Sequence, residues 1–137
     1  MARSSFSGLK TREFNILDFR TVSTIATAGD VTFTAAQILG GLILRDPAGG
    51  ARADLLPTAA NIIAAMKDQS ADVPVGQSFE FTIRNTADAA ETITVTTNTG
   101  LTLSGTMTIA QNNSKRFLAV VTGAAAVTVY SLGTVVH

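Results

Sequence analysis

FTIRNTADAAETITVTTNTG, residues 81–100, is the stretch whose reading decides the fold. Apolar and polar side chains alternate along it: Phe81, Ile83, Ile93 and Val95 take one face, Thr82, Arg84, Thr92, Thr94 and Thr96 the other. A period of two marks a half-buried strand, because successive side chains leave the pleated backbone on opposite sides. The polar face is nearly all threonine, whose branched Cβ favours an extended backbone while its hydroxyl remains available to water or a neighbour. The chain holds 20 threonines, 8 of them between Thr92 and Thr108, so solvent-facing strand surfaces recur along it.

Working outward, residues 77–85 and 91–97 read as strands joined by a TADAA connection. Leu101, Leu103, Met107 and Ile109 flank Ser104-Gly105 as a short hairpin, and residues 111–114 form a polar turn. Residues 115–122 and 127–132 complete the set. Upstream, residues 30–34 read as a strand, and residues 38–44 as another weakened by Gly40-Gly41. Residues 45–54, RDPAGGARAD, read as a loop. Pro57 opens the single predicted helix, with Ile62, Ile63 and Met66 at three and four spacing, ending near residues 67–72. Turn signals about 8 to 12 residues apart predict a mainly β domain, an antiparallel β-sandwich or jelly-roll-like barrel with one short helix plugging an end.

Residues 1–28 differ from the rest. Arg3, Lys10, Arg12 and Arg20 outnumber Glu13 and Asp18, and the large apolar side chains follow no steady period. This predicts an extended N-terminal arm ahead of a domain at residues 29–137, one that orders along a partner.

At 137 residues one modest core is expected, and the lack of cysteine excludes disulfides and thiolate metal sites. Ten basic residues balance ten acidic ones, leaving no clustered excess for nucleic acid. Lys115-Arg116 is the one adjacent basic pair. No apolar run approaches the roughly 20 residues of a membrane span, and charges interrupt the first 13 residues where a signal peptide would need an apolar run. Charged residues make up 15%, against about a quarter in a typical soluble domain. A surface so poor in charge fits coverage by partner subunits.

A search for reactive groups ends quickly. His137 is the only histidine and the last residue, which excludes a Ser–His–acid arrangement or a histidine metal cluster built round it. Glu80 and Glu91 fall in predicted strands on the solvent-facing parity, while Asp30, Asp46 and Asp54 read as turn residues rather than a calcium site. Tyr130 reads as core or interface. No phosphate loop occurs. The expectation is a protein that is not an enzyme and needs no cofactor or metal.

Leu44-Arg45-Asp46-Pro47, Leu56-Pro57-Thr58-Ala59, the run Phe79 to Asn85 and Lys115-Arg116-Phe117 carry a resemblance that spans residues 30–134. The chain resembles a module of virion proteins of tailed phages and some large aquatic viruses, found in capsid decoration proteins and in parts of fibres or spikes. The resemblance implies a β-rich, symmetric assembly on a virus particle, with a homotrimer as the expected form. A free-standing module with its own arm suits a decoration or cement protein on the capsid surface, its partner the major capsid protein. Phe6, Leu9, Phe14, Ile16 and Phe19 are then the apolar anchors of the arm, and Arg3, Arg12 and Arg20 pair with capsid carboxylates. The alternatives are a receptor- or glycan-binding knob, with Asn98, Asn112 and Asn113 at loop tips, or a vertex or tail adaptor.

Overall fold

The computed structural model describes residues 20–137; of the arm expected over residues 1–28, the stretch up to Phe19, with Arg3, Phe6, Leu9, Arg12, Phe14 and Ile16, lies outside the described residues. The chain joins the fold at β1 (Ser23–Ile25), ahead of Gly29. Helix α1 (Ala35–Leu39) leads to β2 (Leu42–Arg45) and β3 (Arg52–Leu55), then helix α2 (Ala59–Lys67). Strands β4 (Ser78–Asn85), β5 (Ile93–Thr96), β6 (Leu101–Ser104) and β7 (Thr108–Ile109) follow. The long hairpin of β8 (Asn113–Gly123) and β9 (Ala126–Val136) completes the chain.

The described strands form two sheets, one of six in the order β1-β2-β4-β8-β9-β6 and one of three in the order β3-β5-β7. The expectation of a mainly β fold holds, but the sheets are mixed rather than antiparallel. Pairs β1–β2, β2–β4, β6–β9 and β3–β5 are parallel; β4–β8, β8–β9 and β5–β7 are antiparallel. The physical reason is that the chain repeatedly changes sheet. Leu101 to Ile109 is therefore not a hairpin: β6 pairs with β9 in the large sheet, while β7 pairs with β5 in the small one. Gly100 makes the entry to β6 possible, with φ +82° and a Cβ position 2.6 Å from the Ala125 carbonyl and 2.7 Å from the Ala59 Cβ. Only glycine fits so close an approach at that backbone angle.

Among the described residues two helices stand where one was expected. Residues 35–39 are helical instead of beginning a strand, because Thr34 and Gln37 form a capping box. The Thr34 hydroxyl accepts from Gln37 N at 3.1 Å, and the Gln37 side chain accepts from Thr34 N at 2.8 Å. Each satisfies an amide the first helical turn leaves without a partner. The predicted strand over residues 30–34 reduces to a single bridge, Thr32 with Leu55. The loop predicted over residues 45–54 is shorter, since β3 begins at Arg52.

One core serves both sheets. Ile43, Phe81, Ile83, Phe117 and Val129 come from the large sheet, Ile93, Val95 and Ile109 from the small one, and Ile62, Ile63 and Met66 from α2. Phe81 and Phe117 stack with ring centroids 5.1 Å apart. The alternation read at Phe79, Phe81 and Ile83 thus does place its apolar side inward.

Candidate functional site

Buried polar residues tie the sheets together. Arg45, at the end of β2, has every N–H occupied. Its Nε and Nη2 donate to Asp54 of β3 at 2.7 and 3.2 Å, and its remaining donors meet the carbonyls of Thr27, Gly29 and Asp46 at 2.6–2.9 Å. Asp54 also accepts from Val31 N at 3.0 Å, and both side chains are fully buried. Asp54 is therefore no turn aspartate; a carboxylate taken out of water needs such a partner. Asp30 accepts from Ala53 N and Asp46 from Ala48 N. All three predicted aspartates thus serve backbone or guanidinium groups. Glu91 departs from its predicted place as well: it lies outside the strands, is buried, and accepts from Gly49 N at 3.1 Å. Asn85, also buried, donates to the carbonyls of Glu91 and Ile109 and accepts from Ala87 N.

The remaining candidates are dispersed. Lys115 and Arg116, adjacent in sequence, point to opposite faces of β8. Lys115 is buried, while Arg116 is exposed and pairs with exposed Glu80 at 3.5 Å. His137 is held rather than frayed: its N–H donates to the Asn112 carbonyl at 2.7 Å, and its Nε2 lies 2.8 Å from Ser114 Oγ. Among the described residues no carboxylate bonds the other ring nitrogen.

Asn98, Asn112 and Asn113 do not converge. Asn98 donates to the Leu56 carbonyl and accepts from Thr99 N, beside Gly100 and the turn into β9. Asn113 pairs with Val136 at the far end of the β8–β9 hairpin, about ten residues away, or roughly 30 Å of strand. Arg20 lines a shallow depression with Thr21, Leu39 and Gly40, its side chain lying near Gly41.

What the sequence reading missed is the apolar character of β9. Among the described residues the exposed large hydrophobics are Val22, Val75, Tyr130, Leu132, Val135 and Val136, four of them within seven residues of β9. Tyr130 belongs to the outward face instead of the core, opposite the half-buried Leu118. The signal was present in SLGTVV, residues 131–136, which has neither a charge nor a proline. Thr82, Thr102 and Thr128 share this outer surface with the exposed charged side chains of Glu80, Arg84 and Arg116.

Comparison with protein-family models, curated proteins and solved structures finds no match to this chain.

Proposed function

We propose that the chain is a structural protein of a virus particle, a capsid decoration or cement protein. Its two sheets and α2 are read as a self-contained sandwich, and residues 2–20 as the arm that binds the major capsid protein. The observation that carries the reading is the exposed apolar run of Tyr130, Leu132, Val135 and Val136 on a chain with 15% charged residues. Val135 and Val136 leave the strand on opposite faces, so exposed apolar side chains stand on both sides of the end of β9, and covering them from water is what a partner would contribute. The resemblance over residues 30–134 supplies the virion setting. Arg45, Asp54, Glu91 and Asn85 support a non-catalytic role, because each is occupied in holding the fold. A knob reading needs loop residues that converge, and Asn98 stands far from Asn112 and Asn113.

In the proposed mechanism the arm docks Phe6, Leu9, Phe14, Ile16 and Phe19 in apolar depressions of the capsid, while the domain stays outside. Many modest contacts repeated on a lattice add through multivalency. The test is cosedimentation with shells of the parent virus assembled without this protein. The full chain is expected to bind and to raise the temperature at which the shells break. A chain beginning at Arg20, checked for native circular dichroism, is expected to do neither. Binding that survives removal of the arm would sink the docking mechanism.

A further inference from the structure

We propose that the C-terminal half of β9 is an open sheet edge that pairs, antiparallel and about a two-fold axis, with the same strand of a second copy. Strand β6 covers β9 only from Val127 to Tyr130. Beyond that point the chain leaves at Gly105 and crosses to the small sheet, so from Leu132 onward no strand among the described residues flanks β9 on that side.

The direction of the backbone groups follows from the pairing. His137 N donates to the Asn112 carbonyl on β8's side, so Val135 and Gly133, at even spacing from it, also face β8. Thr134 and Val136 then turn both N–H and C=O to the open edge, because the two polar groups of a strand residue point the same way. The register shift between Ser131 and Gly133, with Leu132 as the extra residue, separates this segment from the part that β6 covers.

Edges left open in natural sheets are usually guarded by charge, proline or a covering loop. Here the guard is missing from the sequence: Thr134, Val135 and Val136 are uncharged, and Val135 and Val136 are 58% and 75% exposed. A second copy is the occupant this chemistry fits. Residues 131–136 carry no charged side chain, so the paired segments meet without side-chain repulsion over that stretch, and the two Val135 side chains then cover one another. About a two-fold axis through Val135, Thr134 of each copy exchanges two hydrogen bonds with Val136 of the other. The two Val135 side chains meet across a non-hydrogen-bonded pair, where Cα atoms lie about 4.5 Å apart. Val135 shares its face with Ser114, so this contact falls on the outer surface of the large sheet.

The inference is independent of the virion reading, and it makes a two-fold pair, not the expected trimer, the elementary assembly. Light scattering of the full chain over a concentration series is expected to reach twice the 14.2 kDa chain mass. Thr134→Pro and Val136→Lys are expected to weaken the dimer about tenfold or more while leaving unchanged the melting temperature measured at concentrations where the chain is monomeric, since neither removes a bond to β8. Val135→Pro breaks such a bond and is expected to lower the melting temperature. The chain has no cysteine, so Val135→Cys gives an unambiguous readout, a covalent dimer on mild oxidation. A full chain that stays monomeric, a mass of three chains, or a dimer indifferent to both edge variants overturns the proposal.

Discussion

Arg45 carries five N–H donors into a place closed to water, and each meets an oxygen. The arrangement does more than neutralise Asp54, since it fixes Thr27 and Gly29 from the segment between β1 and α1. Removing one partner leaves an unpaired buried charge, whereas replacing both with apolar residues does not. Asp54→Ala is therefore expected to cost about 3–5 kcal/mol in urea denaturation, and Arg45→Met with Asp54→Leu to remain destabilising as well, because it leaves the carbonyls of Thr27, Gly29 and Asp46 and the Val31 amide without their partners. None of this pairing was legible in the sequence. Arg45 and Asp54 flank two glycines and a proline, the signature of a loop, and the periodicity of so short a stretch says nothing about which side chain turns inward. Glu91 was misread for a simpler reason: two residues before Ile93 and four before Val95, it shares their inward parity and not that of the threonines, and it is buried with them.

At the scale of elements, alternation identified strands well and partners poorly. Residues 78–85 were legible because Phe79, Phe81 and Ile83 leave no choice of inward face. Strand direction was not, since a strand reads the same whether its neighbour runs with it or against it. The crossing between sheets at Gly105 thus passed for a hairpin turn. Helix α1 was legible in principle: Thr34-Ala35-Ala36-Gln37 is a capping-box sequence, but Ile38, Leu39 and the following glycines drew the eye to a weakened strand. A helix of five residues depends heavily on its cap. Thr34→Ala is expected to lower stability by about 1 kcal/mol and Thr34→Ser to leave it nearly unchanged, as thermal melts followed by circular dichroism would report.

For the molecule as a whole, the shared core means that neither sheet can be exposed alone. Ile93, Val95 and Ile109 of the small sheet lie in one cluster with Phe81 and Phe117 of the large one. The domain is expected to unfold in a single transition, with equal calorimetric and van't Hoff enthalpies; two resolved transitions would show that the sheets are separable. The candidate surface was half legible. Low overall charge raised the expectation of a covered surface, while the concentration of exposed valine at the end of β9 emerged only when the strands had places. The Arg45 clasp has one further consequence, for mechanical load. Tension applied from the N-terminal side of Arg20 meets β1 first, three residues long and paired only with β2 among the described strands. The next points of attachment are the carbonyls of Thr27 and Gly29, gripped by Arg45. A pull on that end should therefore strip one short strand and then stall at the Arg45 bonds, leaving the core intact.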